Sequence, residues 1–190
     1  MTRYQGPFAN RTDADHVLQQ LPSLGGPEHA DPRLIQAVES WDPDAGRGGL
    51  VLMGPTGCGK TTAAVHLVRR LLATREDATS TAVLLARDIV ADAQLAERAR
   101  RVRFLVVDDI GKEYDPKNVL FSVLDYRHTR LPTIVTSGLK AEDLQSHFTG
   151  AFVRRMGEFR GARVRVVSLF KQAPRPALPP DQYDLDRRYP

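Results

Sequence analysis

Eight consecutive residues constrain this chain more than any other stretch. Gly54-Pro55-Thr56-Gly57-Cys58-Gly59-Lys60-Thr61 fits G-x-x-x-x-G-K-[ST] at every fixed position, with Thr62 following. An apolar run over residues 50–53 reads as a strand leading into it. Behind it Ala64, Leu67, Val68, Leu71 and Leu72 form one stripe, which predicts a helix over residues 60–73. Strand, glycine loop and helix N-terminus in that order make a phosphate cradle. The glycines let successive backbone N–H groups turn inward, and the helix adds its positive dipole end. Lys60 is expected to neutralise the β- and γ-phosphates, and the Thr61 hydroxyl to complete a magnesium shell. Cys58 occupies a variable position, where a small side chain fits a crowded loop.

A second apolar run, Phe104-Leu105-Val106-Val107, ends in Asp108-Asp109. A nucleotide-dependent ATPase places its magnesium-holding carboxylate at such a strand end. Asp108 is the candidate for that role, directly or through water. Asp109 is expected to point at the γ-phosphate and to orient or deprotonate the attacking water. An aspartate reaches about 1.5 Å less than the glutamate often found there, which predicts slow hydrolysis. The plain alternative for this pair is a solvated strand-end turn. Taken together, the two motifs predict ATP with Mg2+ as the ligands.

The rest of the chain supports an α/β reading. Residues 31–41 begin with Asp31-Pro32, a helix cap and first-turn proline, and carry Leu34, Ile35, Val38 and Trp41 at helical spacing. Strands are predicted at residues 82–86, 104–108, 133–136 and 163–168, and helices at 87–101, 119–130 and 142–156. Such alternation implies a parallel sheet of five strands flanked by helices, with ligand at the carboxyl ends of the strands. Residues 1–30 read as an irregular lead-in with a short helix near residues 13–21, residues 31–170 as the ATPase domain, and residues 171–190 as a proline-rich tail. That leaves little or no room for a C-terminal lid.

With 190 residues, one domain is expected. The single Cys58 has no disulfide partner, and no run approaches the length of a membrane helix, so a cytoplasmic setting without membrane contact is expected. The five histidines show no ligand spacing, which argues against metals other than magnesium. Net charge is +4. Its arginines cluster, as Arg98, Arg100, Arg101 and Arg103, and again as Arg154, Arg155, Arg160, Arg163 and Arg165. Arginine suits bidentate contact with phosphate or carboxylate, so the clusters fit nucleic acid or subunit contact equally.

Three segments carry a family resemblance. The loop Gly54 to Thr62, the run Leu105-Val106-Val107-Asp108-Asp109-Ile110-Gly111-Lys112-Glu113, and Pro132-Thr133-Ile134-Val135-Thr136-Ser137 resemble the AAA+ ATPases of the DnaC-type helicase loaders and IstB-type transposition helpers. The likeness spans roughly residues 31–170, and Asp-Asp-Ile-Gly-Lys-Glu is its most specific element. It implies a polar sensor at Thr136-Ser137 that helps hold the nucleophilic water. Gly138 stands where an asparagine is usual, which leaves Ser137 as the remaining donor. It also implies that Arg155 is an arginine finger, inserted by a neighbouring copy, so that activity requires assembly. Two departures stand out: residues 87–102 leave room for about one helix where the family has an additional one, and the lead-in is short for a helicase-gripping module.

The leading reading is a self-assembling AAA+ ATPase that acts on DNA or on a DNA-bound partner such as a replicative helicase or a transposase. A second reading is a nucleotide-gated adaptor with negligible hydrolysis that recruits a protein through its lead-in or tail. A third, weaker reading is a small-molecule phosphotransferase, against which the absence of an acceptor-binding segment counts.

Overall fold

The computed structural model describes residues 26–44, 49–128, 130–147 and 165–170. After a 3-10 turn at Pro27–His29 the elements run α1 (Pro32–Glu39), β1 (Gly49–Met53), α2 (Lys60–Thr74), β2 (Thr81–Leu85), α3 (Ala86–Ala91) and α4 (Ala93–Arg101). They continue with β3 (Phe104–Ile110), α5 (Val119–Arg127), β4 (Thr133–Ser137), α6 (Ala141–His147) and β5 (Arg165–Ser168). The strands form one parallel sheet in the order β2-β3-β4-β1-β5.

Side-chain alternation decides the layers. In β1, Leu50 and Leu52 join one apolar cluster while Val51 and Met53 join the other. In β3, Phe104 and Val106 separate from Leu105 and Val107 in the same way. Both faces are therefore dry, as a parallel sheet requires. The face of Leu50, Leu52, Phe104 and Val106 is covered by Leu34 and Val38 of α1 and by Leu67, Val68 and Leu71 of α2. The opposite face is covered by Ile89 of α3, Ala96 and Ala99 of α4, Leu120 and Val123 of α5, and Leu144 of α6.

Strand order then locates the ligand. The chain leaves β1 across β4 and β3 to reach β2, and leaves β4 across β1 to reach β5. The connections from the neighbouring strands β1 and β4 thus run in opposite directions, and the ligand of such a sheet lies at the carboxyl ends of the strands. Both sequence motifs end there.

Several predicted boundaries move. Ala86 opens a helix instead of closing a strand. The single helix predicted over residues 87–101 is two, α3 and α4, so the connection between β2 and β3 does hold an additional helix. The break is at Asp92, whose backbone is extended and whose carboxylate accepts the N–H of Gln94 at 2.7 Å and of Leu95 at 3.3 Å. An aspartate in that geometry starts a helix rather than continuing one. Helix α5 stops at Arg127 instead of residue 130. The helix predicted over 142–156 is described only as α6, and the last strand as Arg165–Ser168. The short helix expected near residues 13–21 and the proline-rich tail lie outside the described residues.

At the amino end of the sheet, charge is used as mortar. Arg127 is almost fully buried. Its guanidinium donates to the carbonyls of Ala99, Arg100, Val102, Arg103 and Pro132 at 2.7 to 3.4 Å, and to the Thr133 hydroxyl at 2.9 Å. It thereby satisfies the last carbonyls of α4 and fastens them to the starts of β3 and β4. Burial, and after it the Arg103 cation, lowers its pKa to about 9, so it is still charged at neutral pH.

Candidate functional site

The glycine loop joins β1 to α2, and its backbone fits one shape. Gly57 and Gly59 both have φ of +84°, in the left-handed region that glycine adopts without penalty. A Cβ on Gly59 would run into the Ala30 backbone. The 3-10 turn of the lead-in packs directly on the loop there, with Asp31 N–H donating to Cys58 O at 3.0 Å. Lys60, first residue of α2, donates its ammonium to the carbonyls of Gly54 at 2.8 Å and Pro55 at 2.9 Å. The Cys58 sulfur lies 3.8 Å from the same ammonium. The lysine thus folds back over the loop that precedes it, and it would exchange these carbonyls for phosphate oxygens.

Parity along β3 and β4 assembles the oxygen site. Phe104 and Val106 face α2, so Asp108, two residues on, faces the first turn of that helix. Ile134 faces the same way, so Thr136 does too. The Thr61 hydroxyl lies 2.9 and 3.0 Å from the two carboxylate oxygens of Asp108. On the other side the Thr136 hydroxyl donates to Asp108 Oδ1 at 2.6 Å and accepts the Asp109 N–H at 2.9 Å. Asp108 and Thr136 are buried. The family resemblance puts Thr136 in the sensor region. The structure gives it a further task, holding the Asp108 carboxylate in place.

Asp109 sits differently because β3 is bulged. Val107 pairs with Val135, but Ile110 pairs with Ser137, so β3 spends one residue more than β4 over this interval. The extra residue is Asp109, with φ of +61°. Such a bulge re-aims a side chain that strict alternation would have sent into the core. Ile110 takes the core position instead, and the Asp109 carboxylate emerges at the strand end, where it accepts from the Lys112 ammonium at 3.0 Å.

The remaining predicted residues divide. Ser137 is fully buried; its hydroxyl donates to Ile110 O at 3.0 Å and accepts from Leu139 N–H at 3.1 Å. A donor role toward water, which the resemblance implies for Ser137, would compete with this bond, in which its one proton ties β4 to β3. At Gly138 a Cβ would meet nothing within 4 Å, so the position normally held by asparagine in the resembling family is open space. Arg155 lies outside the described residues, as do Arg154, Arg160 and Arg163.

The described arginines of the two clusters lie at the other end of the sheet. Arg98, Arg100 and Arg101 occupy the last turn of α4, Arg103 directly precedes β3, and Arg165 opens β5. Arg100 and Arg101 share Glu97 at 3.1 and 2.5 Å. Arg103 pairs with Asp44 at 3.0 Å and Asp77 at 3.1 Å and covers the Phe104 ring at 5.2 Å. Arg165 donates to the Ser40 hydroxyl at 2.6 Å. Arg101, with 76% of its side chain exposed, reaches farther into solvent than Arg100 or Arg103. Composition showed a basic cluster; the fold turns much of it into internal ion pairs.

A hard cation suits the oxygen site. Its donors are a hydroxyl and a carboxylate, both oxygen, converging within 3.0 Å beside a loop shaped for phosphate. Magnesium is bound by one or two carboxylates together with substrate phosphates in this manner. Among the described residues no helix is long and apolar enough to cross a membrane.

Comparison with known proteins agrees with this geometry. The crystal structure of the DnaI shares 23% sequence identity with this chain at a TM-score of 0.55, over 71% of this chain and 80% of that one. The crystal structure of the DnaC helicase loader shares 20% at a TM-score of 0.54, over 70% and 85%. At such identities the likeness establishes the fold alone, a five-stranded parallel sheet flanked by helices. None of the curated proteins matches the chain in sequence. The family of IstB-like ATP binding proteins matches residues 26–154, well over half of the sequence. A glycine loop, an aspartate aligned on its threonine, and this family match lead to one conclusion: the chain belongs to the IstB-like ATP-binding AAA+ proteins.

Proposed function

We propose that the chain is a magnesium-dependent ATPase that turns over slowly, self-associates, and acts on DNA or on a DNA-bound partner of the replicative helicase or transposase kind, in the cytoplasm. The observation that carries the ATPase part is the meeting of Thr61 and Asp108 at 2.9 and 3.0 Å beneath the glycine loop. Lys60 and the loop N–H groups would hold the β- and γ-phosphates, and Thr61 with Asp108 would hold the cation. When bound, magnesium neutralises charge on the transferring phosphoryl group. Asp109 would orient the water from the bulge. Three features support a low rate: the short reach of aspartate, the Ser137 proton committed to Ile110, and the bare Gly138.

Self-association rests on Arg155 as an arginine finger, and the DNA part on the arginine clusters and the family. Arg100 and Arg103 are mostly covered and paired within the chain, whereas Arg101 keeps 76% of its side chain exposed beside Glu97, so the DNA contact of the first cluster falls chiefly to Arg101 at the end of α4. The same three features that slow hydrolysis favour a second reading, a nucleotide-gated adaptor.

Steady-state hydrolysis against protein concentration, with and without DNA at low salt, separates the two. For the first, specific activity rises with concentration or DNA and is lost in Lys60→Ala and Arg155→Ala, with DNA affinity falling steeply as salt rises. Flat, negligible turnover with tight ATP binding leaves the adaptor. Loss of ATP binding in Lys60→Ala is expected in either case.

A further inference from the structure

The turn after β3 brings a lysine back to the carboxylate that the strand has just delivered. Gly111, with φ of +97°, reverses the chain, and a Cβ there would crowd the Leu139 side chain. Buried Glu113 accepts the N–H of Gly111 at 2.8 Å and of Lys112 at 3.0 Å, which fixes the backbone from which Lys112 extends. The Lys112 ammonium then meets Asp109 Oδ2 at 3.0 Å. Glycine, glutamate and bulge together determine where this ammonium sits.

We propose that Lys112 is a positioning residue that restrains hydrolysis by holding the Asp109 carboxylate in an ion pair and away from the attacking water. The inference rests on the reading of Asp109 as the water-orienting group. A carboxylate oxygen that accepts from an ammonium has part of its charge neutralised and a lone pair occupied, so it accepts less readily from water. The restraint is also releasable. The two side chains are 61% and 41% exposed, and ion pairs this open are weak and screened by salt. A lysine placed there by chance on a flexible loop would not need a buried carboxylate to grip its own backbone.

The test compares kcat and KM for the intact chain, Lys112→Ala, Lys112→Arg and Asp109→Asn, at a protein concentration where specific activity has levelled off. Lys112→Ala is expected to raise kcat about fivefold, the factor that ~1 kcal/mol gives, with KM for ATP changed less than about twofold. Lys112→Arg, which keeps the charge, restores the intact rate. At saturating ATP, the intact rate climbs with salt toward that of Lys112→Ala, whose own rate stays level. A kcat for Lys112→Ala equal to or below the intact value, while Asp109→Asn is inactive, overturns the restraint and leaves Asp109 in its role. Full activity in Asp109→Asn removes Asp109 from its role and the restraint with it, and so does absence of turnover in every form that still binds a fluorescent ATP analogue. Thermal melts of the four proteins identify any variant that loses activity by unfolding, and Lys112→Gln then replaces Lys112→Ala.

Discussion

The two ends of the sheet use the same kinds of residue for opposite purposes. At the amino end, Arg127 is buried and gives its donors to five carbonyls and a hydroxyl, while Arg75 and Arg103 share Asp44 and Asp77 over the face of Phe104. The side-chain hydrogen bond from Arg75 does most to hold Asp77 below its usual pKa. At the carboxyl end, the bonds around the glycine loop and the end of β3 are exchangeable: Lys60 on its own loop carbonyls, Thr61 on Asp108, Lys112 on Asp109. One end is complete as it stands. The other consists of groups whose present partners a nucleotide and a cation can replace. A charged cluster read from sequence therefore says nothing about function until its partners are known, since a cluster satisfied within the chain is part of the frame.

The sharpest way to break that contrast is Arg127→Ala. It leaves several buried carbonyls without a donor and a cavity behind, so stability in urea unfolding should fall by about 3 to 4 kcal/mol, with ATP affinity of the folded protein unchanged. A loss below about 1 kcal/mol would mean the amino end is not the frame described here. Next in size is Thr136→Val at the other end. Removing the hydroxyl that orients Asp108 should weaken magnesium binding, read from Mg2+ titrations of ATP binding, on the order of tenfold, with a stability loss of only about 1 kcal/mol. A large stability loss with unaltered magnesium dependence would make Thr136 part of the frame as well.

The smallest effect concerns Asp31, which caps α1 where the lead-in meets the glycine loop. The side chain of Arg33, and then its backbone N–H, lower the Asp31 pKa from 3.8 to about 2. A folded-state pKa below the unfolded one means stability that is full above the unfolded value and is lost as pH falls through about 2. Asp31→Asn, which still caps but cannot form the ion pair with Arg33, should therefore reduce the acid sensitivity of unfolding between those values and lower neutral-pH stability by the same small amount. An unchanged acid profile would assign that sensitivity to other carboxylates.

Legibility in the sequence was uneven for a physical reason. The loop, the helix after it and the Asp108-Asp109 strand end were readable because each depends on neighbours in the chain: glycines that allow φ of +84°, a 3.6-residue stripe, an apolar run ending in charge. The break at Asp92 was missed although an aspartate cap two residues before Gln94 is a local signal. Thr136 as the residue that holds Asp108 could have been found by counting parity from Ile134. The bulge at Asp109 could not, because it is a mismatch between two strands and neither strand alone contains it.

By itself the sequence determined the α/β alternation and the phosphate loop with Lys60 and Thr61, because these follow from spacing along the chain, and its three motif segments carried the family resemblance. Only the tertiary structure decided that Ser137 spends its proton on Ile110, that Arg103 belongs to an ion-pair network with Asp44 and Asp77, and that Asp109 leaves its strand by a bulge to meet Lys112. Each of those depends on which groups from distant segments arrive within hydrogen-bonding distance. A donor or a charge is free to act on a ligand only when the fold has not already given it a partner.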